Sequence, residues 1–113
     1  MGNNEILGIG TDIIEIKRIE KAIKSQHFIE RVYTPKEIEY IKNKGNKSQT
    51  FAGIFCAKES VCKALGTGFS GKKFHDVEIL HDEKGKPFVS GINVLITISH
   101  CKEYATSTAI LLN

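Results

Sequence analysis

FCAKESVCKALGTG, residues Phe55–Gly68, is the most informative stretch of this 113-residue chain. Its apolar residues recur at helical spacing, and Gly66 and Gly68 are typical of a helix end, where a left-handed residue is often needed. Glu59 and Lys63 are four residues apart and therefore share one face of the helix. The stretch thus combines a carboxylate, an ammonium group and a flexible polar loop within ten residues. Such a combination could form a metal and phosphate site.

Lys58 lies in the middle of the apolar side of this helix. At about 100° per residue, one arc collects apolar side chains, namely Phe51, Ile54, Phe55, Val61, Cys62 and Leu65. A lysine at this position either extends its stem along the core to reach water or marks a functional position. Glu59 and Lys63 lie beside the edge of the arc and could equally form an ordinary surface ion pair. Spacing alone leaves these alternatives open.

Length and composition favour one globular domain that spans residues 1–113, because 41% of the residues are apolar. No stretch approaches the roughly 20 apolar residues of a membrane span. The start MGNNEILG also lacks the basic head and apolar run of a signal peptide. We therefore expect a cytoplasmic protein without a membrane partner. Cys56, Cys62 and Cys101 form no CxxC motif, so reduced, half-buried thiols are expected rather than a zinc site.

Positive charge is concentrated between Glu15 and Lys47. This segment has nine Lys or Arg against five Glu, a net charge of +4, whereas the whole chain carries +3. Such a patch suits an acidic partner, although a solvated helical face would have the same composition. Aromatic residues are not interleaved with the basic ones, so binding to nucleic acid is the weaker interpretation.

The N-terminal part is predicted to contain one strand and then helices. Ile6–Asp12 indicates a buried strand that ends at Asp12, and Gly8 and Gly10 suggest close backbone approach. A helix is predicted from about Glu15 to Ser25. Thr34-Pro35-Lys36-Glu37 is a capping box that begins a further helix, expected to end near Gly45. A polar linker, Lys44–Thr50, and the Phe51 helix follow.

The remaining sequence predicts antiparallel strands. Val77–Leu80 should pair with Pro87–Val89 through a turn at Asp82–Gly85, and Val94–Ser99 should form a hairpin with Tyr104–Leu112. Helices followed by antiparallel strands indicate an α+β fold.

Three groups of polar residues at predicted element ends are candidates for chemistry: Asp12, the Glu59/Lys63 pair, and Ser99-His100. Two carboxylates from distant parts of the chain can hold Mg²⁺ when phosphates and waters complete its shell. Lys63 could neutralise a phosphate or a leaving oxygen, and His100 could bind phosphate or act as an acid or base. An isolated Asp at a strand end is more often a turn former, and a His at a hairpin tip is more often merely exposed.

Three motifs resemble those of holo-[acyl-carrier-protein] synthases, the short, homotrimeric type of 4′-phosphopantetheinyl transferase. They are GIGTDIIEIKRI near the N-terminus, FAGIFCAKESVCKALGTG in the middle and ITISHCKEYATSTAIL near the C-terminus. The resemblance implies an α+β fold with an antiparallel sheet and helices packed on one side. It also implies transfer of the 4′-phosphopantetheine arm of coenzyme A to a serine of apo acyl carrier protein, with release of 3′,5′-ADP, in fatty acid biosynthesis.

The resemblance assigns a role to each matching residue. Asp12 and Glu59 match the family's Mg²⁺ ligands, and Lys63 matches a lysine near the phosphates that stabilises or protonates the leaving oxygen. The general base stays open among a metal-bound water, Asp12 and Glu59. The remaining cofactor-binding candidates contact coenzyme A, with His100 near the 3′-phosphate: Lys58, Gly66, Thr67, Gly68, Ser99 and His100.

The resemblance also implies two macromolecular partners. Acyl carrier protein is acidic, and family members receive it on the helix after the Asp motif. Arg18 matches the docking arginine, and its supporting charges would be Lys17, Lys21 and Lys24. Family sites lie between protomers, so a homotrimer with shared sites is expected, and Lys58 could face the cofactor or a neighbouring chain.

Two departures from the family pattern motivate an alternative function. The family commonly has an arginine or another polar residue where this chain has Ile54. If that arginine holds a cofactor phosphate, Lys58, Lys72 or Lys102 would have to compensate. The stretch Pro87–Ser99 is also too short for the helix that many relatives carry there. The alternative is a trimeric module that binds coenzyme A or a nucleotide without catalysing transfer.

Overall fold

The computed structural model describes residues 5–66 and 74–113. Its elements confirm the predicted α+β class. In chain order they are β1 (Ile6–Glu15), α1 (Ile16–Ala22), α2 (Gln26–Val32), α3 (Pro35–Asn43), α4 (Ser48–Leu65), a 3-10 turn (Phe74–Asp76), β2 (Ile79–His81), β3 (Pro87–Val89), β4 (Val94–His100) and β5 (Tyr104–Leu112).

The strands form two antiparallel sheets. The larger sheet has the order β1-β5-β4, so the first strand pairs with the last, and β2 and β3 form a separate two-stranded sheet. Both predicted hairpins, β2–β3 and β4–β5, are confirmed, although β2 begins at Ile79 rather than at the predicted Val77. No helix lies between β3 and β4, in agreement with the short sequence there.

Helix α4 packs against one face of the larger sheet, and two glycines bring β1 unusually close to it. A Cβ atom added to Gly8 would lie 2.0 Å from the Ala64 carbonyl oxygen, and one added to Gly10 would lie 2.1 Å from the Ser60 carbonyl oxygen. Only a residue without a side chain fits at such separations. The predicted close backbone approach is therefore confirmed, and it brings the polar residues of β1 within reach of α4.

The opposite face of the larger sheet is open to solvent in the described chain. Side chains alternate between the two faces of a sheet along each strand. Every second residue of β1 and of β4 therefore lies on the face that points away from α4. Ile9 is 67% exposed, Ile13 66% and Leu95 55%. We call this surface, formed by Ile9, Thr11, Ile13, Leu95 and Thr97, the open face.

Several predicted boundaries need correction. β1 does not end at Asp12 but continues to Glu15, and α1 is shorter than the predicted Glu15–Ser25. The short helix α2 was missed by the sequence pattern. α4 begins at Ser48, so the last residues of the predicted Lys44–Thr50 linker are helical.

The capping box of α3 is confirmed in both of its hydrogen bonds. The Thr34 hydroxyl accepts from the Glu37 amide, and the Glu37 carboxylate accepts from the Thr34 amide. None of the described helices combines the length and apolar character needed to cross a membrane.

Candidate active site

Asp12 and Lys63 meet where β1 packs on α4. The Lys63 ammonium group donates to Asp12 Oδ1 and to the Thr11 carbonyl oxygen, each at 3.0 Å. The Asp12 side chain is 16% exposed and that of Lys63 is 50% exposed, so the pair can be reached from solvent. β1 extends beyond Asp12 and holds it opposite Ser107 of β5, which makes its position a strand interior rather than a turn.

Glu59 lies one turn before Lys63 and is half-buried. Burial raises the pKa of its carboxyl group, the negative charge of Asp12 raises that pKa further, and Lys63 lowers it. Asp12, Glu59 and Lys63 therefore form one electrostatic group, although 47 residues separate the two carboxylates in the sequence. Lys63 forms its ion pair with Asp12 rather than with Glu59. The interpretation of Glu59 and Lys63 as an ordinary surface pair is thus wrong.

The two carboxylates fit the requirements of a magnesium ion. Mg²⁺ prefers hard oxygen ligands and often takes only one or two from the protein. Asp12 disfavours the ionisation of Glu59, and a cation between them would relieve that repulsion. Within residues 5–66 and 74–113, no cluster of three or more potential ligands from His, Cys, Asp and Glu forms. Substrate phosphates and water would therefore have to complete the shell.

Cys56 is a buried residue close to these two carboxylates. Its thiol is buried and donates a hydrogen bond of 3.4 Å to the Ala105 carbonyl oxygen. Burial raises the pKa of Cys56, and the charges of Asp12 and Glu59 raise it further, so the thiol stays neutral. The predicted half-buried thiols are not observed, since Cys56 and Cys62 are buried and Cys101 is exposed.

A second part of the candidate site is a cavity of about 340 Å³ between α3, the start of α4 and the two sheets. His100, at the end of β4, lines it. Ser99 does not, because neighbouring strand residues point to opposite faces. Ser99 is exposed beside Thr106 on the far side of the sheet, so the single chain does not bring Ser99 and His100 together.

The cavity brings together basic groups that the sequence motifs did not single out. Lys44 and Lys47 line it beside Ile54, and so does His81. The two lysines had been counted only as part of the positive segment, and their link to His100 is tertiary, so sequence spacing could not reveal it. They place positive charge in the cavity that Ile54 lines. Lys102 is not among the lining residues, and Lys72 lies outside the described residues.

Lys58 is not available to a cofactor, which corrects the prediction for this residue. Its side chain is completely buried, and its ammonium group lies 2.8 Å from the Glu37 carboxylate. It also donates to the carbonyl oxygens of Phe74 and Val77 at 2.9 and 2.8 Å. A lysine has three N–H donors, and all three are occupied. The expectation that Lys58 reaches water, the cofactor or a neighbouring chain is therefore wrong.

Gly66 ends α4 in a left-handed conformation with φ of 80°, as its position in the motif predicts. The predicted cofactor contacts of Thr67 and Gly68 lie outside the described residues. The four predicted docking residues are all exposed: Lys17, Arg18 and Lys21 on α1, and Lys24 in the turn that follows it. The buried side of the same helix carries Ile16 and Ile19, so the basic face is free to meet a partner.

The two parts of the candidate site lie at different positions along α4. Gly53 and Ile54 line the cavity, whereas Lys63 lies about ten residues further along the helix. At 1.5 Å per residue this separation is about 15 Å along the axis. The two parts also lie toward different strands, since Gly53 packs on Ile98 of β4 and Lys63 on β1.

Comparison with known proteins identifies the family. The family model of the 4′-phosphopantetheinyl transferase superfamily matches residues 8–109. The chain belongs to this superfamily. It is 46% identical to the holo-[acyl-carrier-protein] synthase of Fusobacterium nucleatum, over 95% of this chain and 99% of the relative. It is 50% identical to that of Protochlamydia amoebophila, over 92% and 96%. The resemblance inferred from the three motifs is therefore confirmed.

Solved structures of this superfamily share the fold. A holo-(acyl-carrier-protein) synthase from Bacillus anthracis, in complex with CoA (3′,5′-ADP), superimposes with a TM-score of 0.86 at 40% identity, covering 96% of this chain and 97% of that one. The Helicobacter pylori synthase in complex with coenzyme A gives 0.84 at 33% identity, covering 91% and 98%.

Proposed function

We propose that this protein transfers the 4′-phosphopantetheine arm of coenzyme A to a serine hydroxyl of apo acyl carrier protein. The observation that carries the proposal is the joint placement of Asp12, Glu59 and Lys63, in a chain that belongs to the transferase superfamily. The product is the carrier protein that fatty acid biosynthesis requires, and the cytoplasm is the proposed location.

The reaction exchanges one phosphorus–oxygen bond for another. The serine oxygen bonds to the phosphorus that bears pantetheine, the bond from that phosphorus to the bridging oxygen breaks, and 3′,5′-ADP leaves with that oxygen. Lys63 is placed to stabilise or protonate the leaving oxygen, because its ammonium group is half exposed beside the carboxylates. The serine proton would pass to Asp12, to Glu59 or to a water beside them.

Asp12 and Glu59 would hold Mg²⁺. When bound, the ion supplies Lewis-acid stabilisation of the pyrophosphate charge. The carboxylates of this chain fix its position, and Lys63 adds a positive charge that does not depend on the metal. The neutral thiol of Cys56 and the backbone beneath it exclude water from the inner side of the group.

The cavity around His100 would hold the adenosine end of coenzyme A. Lys44, Lys47 and His100 surround it with groups that can pair with phosphate, and Ile54 and Pro87 provide apolar wall. Because about 15 Å of α4 separates this cavity from Lys63, we assign the two parts of one working site to two protomers. The exposed apolar side chains of the open face support a homotrimer, since an isolated chain would leave them in water.

The basic side of α1 would receive the acidic carrier protein. Arg18, Lys17, Lys21 and Lys24 are exposed, and α1 directly follows β1, the strand that carries Asp12. Electrostatic attraction of this kind mainly accelerates association and weakens as salt is added.

Mass spectrometry of apo acyl carrier protein, incubated with this protein, coenzyme A and Mg²⁺, tests the proposal. We expect the carrier to gain one phosphopantetheine arm, and EDTA to block the gain.

Asp12→Ala and Glu59→Ala should abolish transfer without unfolding the protein, and Asp12→Asn and Glu59→Gln serve as variants of equal size. Normal transfer by either alanine variant would contradict the assignment of the ligands.

A non-catalytic module that binds coenzyme A is the second candidate, and Ile54 in the cavity is the observation that favours it. Tight binding of coenzyme A with no gain of mass in the carrier would establish this function instead.

A further inference from the structure

A buried ion pair joins α3 to α4 on the side of α4 away from the larger sheet. Lys58 and Glu37 are both completely enclosed, and their charged atoms are 2.8 Å apart. Glu37 also accepts hydrogen bonds from the Thr34 amide at 2.8 Å and from the Ile79 amide at 2.7 Å. Both residues thus connect to other segments as well as to one another.

Every polar group of this network has a partner. Lys58 uses its three donors on Glu37, Phe74 and Val77, and the Glu37 carboxylate accepts three hydrogen bonds in turn. Fully satisfied buried networks are rigid and define one arrangement of the segments that they join. Stability is a weak explanation for such a pair, because apolar residues of similar volume are often equally stable. A role in fixing positions is the better explanation.

The segments that the network joins lead to both parts of the candidate site. Lys58 belongs to the helix that carries Glu59 and Lys63, and its bonds hold Phe74 and Val77 against that helix. Glu37 holds the amide of Ile79, the first residue of β2, and β2 ends with His81 in the wall of the cavity. The network therefore fixes the position of the cavity wall relative to the helix of the carboxylates.

We propose that Lys58 and Glu37 are a positioning pair for coenzyme A. They touch no reacting atom, because both are enclosed, and they act by holding residues 74–81 in place against α3 and α4. This inference rests on the function proposed above. It predicts weaker binding of coenzyme A when the pair is lost, with little change in the rate of the chemical step.

The apolar double variant Lys58→Met/Glu37→Met separates positioning from stability. Removing both charges leaves no uncompensated charge in the core, but the Thr34 and Ile79 amides lose their acceptor, so the double variant should fold with a lowered unfolding temperature. We expect KM and Kd for coenzyme A to rise about tenfold while kcat stays within about twofold, because a small misplacement distant from the chemistry weakens productive binding. Tyr33→Phe is the matched control, because it removes another buried hydrogen bond to α4, 2.8 Å long, to the Phe51 carbonyl oxygen.

Direct titration of coenzyme A by calorimetry keeps this test independent of the transferase activity. If the wild type binds coenzyme A but transfers nothing, the proposed function fails and the comparison of affinities still decides the role of the pair. A folded double variant with wild-type affinity would overturn the inference.

A measurement on the unaltered protein covers the case in which the double variant does not fold. Coenzyme A should slow hydrogen–deuterium exchange at the Val77 and Ile79 amides, because coupling between a ligand and a positioned segment is reciprocal. Unchanged exchange at both amides at saturating coenzyme A would equally overturn the inference.

Discussion

Lys58 and Lys63 lie five residues apart on α4 and have opposite environments. Lys58 is enclosed and gives all of its donors to Glu37 and two carbonyl groups. Lys63 is half exposed, and it forms an ion pair with Asp12 that solvent can reach. Two identical side chains on one helix thus have different tasks, and only Lys63 can meet a substrate. The difference arises from which face of the helix each residue occupies.

His81 is expected to make stability depend on pH. Its ring stacks on that of Tyr40 with centroids 3.7 Å apart, and its Nδ1 atom is buried without a hydrogen-bond partner in the described chain. Burial lowers the pKa of His81, Lys44 lowers it further, and Asp82 opposes them. Below pH 6.5, the reference pKa of histidine, the unfolded chain therefore binds a proton more readily than the folded protein does. The free energy of unfolding should decrease as the pH is lowered through this range.

His81→Phe removes this proton and keeps an aromatic ring against Tyr40. Urea unfolding at about pH 7.5 and pH 5.5 should show a smaller loss of stability for the variant than for the wild type. His27→Phe, at an exposed position on α2, controls for the loss of a histidine in general. Equal losses for wild type and His81→Phe would contradict the expectation.

The residues of the carboxylate group could be predicted from the motifs, but their partners could not. Asp12, Glu59 and Lys63 matched family positions, yet the link from Lys63 to Asp12 spans 51 residues. The burial of Lys58 depends on Glu37, which lies on another helix. The periodicity of one segment predicts which face of a helix or strand a residue occupies. It does not predict which other segment packs against that face.

At the scale of elements, β1 and α4 define the geometry of the carboxylate group. Gly8 and Gly10 let the strand approach the helix backbone, and Asp12 follows two residues later on the same face of β1. The close contact is also why Lys63 can reach the Thr11 carbonyl oxygen.

Gly10→Ala should destabilise the protein by about 3 kcal/mol or more, because its Cβ would overlap the backbone of α4. The atom would lie 2.1 Å from the Ser60 carbonyl oxygen and 2.7 Å from the Ala64 nitrogen. Gly91→Ala is the control, since φ is +76° there but no atom lies within 4 Å, and strain alone costs about 1–2 kcal/mol. Urea denaturation measures both losses. A Gly10→Ala variant no less stable than Gly91→Ala would contradict the packing argument.

The elements with local signals were predicted well, and those held by tertiary contacts were not. The capping box of α3 and the two hairpins have their signals within a few residues. Helix α2 has only seven residues, and its local signal is a single N-cap, the Ser25 side chain that accepts from the Phe28 amide. Its Val32 is buried against the core, so packing supplies most of its stability. β1 extends past Asp12 because β5 pairs with it as far as Tyr104, a partner that lies distant in the sequence.

At the scale of the whole molecule, the open face is the surface that most needs a partner. Ile13→Glu would place a charge on this face, so we expect the proposed trimer to dissociate while each chain stays folded, since Ile13 is 66% exposed in the single chain. Sedimentation measures the mass, and circular dichroism checks the fold. Phe88→Glu alters an exposed apolar residue of β3, away from the open face, and should leave the assembly unchanged. An Ile13→Glu variant of unchanged mass would contradict the assigned interface.

The pairing of β1 with β5 has a consequence for synthesis on the ribosome. Glu15 pairs with Tyr104, so about 90 residues must be added before the first strand meets its neighbour in the sheet. At roughly 5–20 residues per second this takes on the order of 5–20 s. During that interval the isoleucines of β1 have no strand to cover them. A nascent chain of this protein is therefore a natural client for chaperones that bind extended apolar segments, until its last strand has emerged.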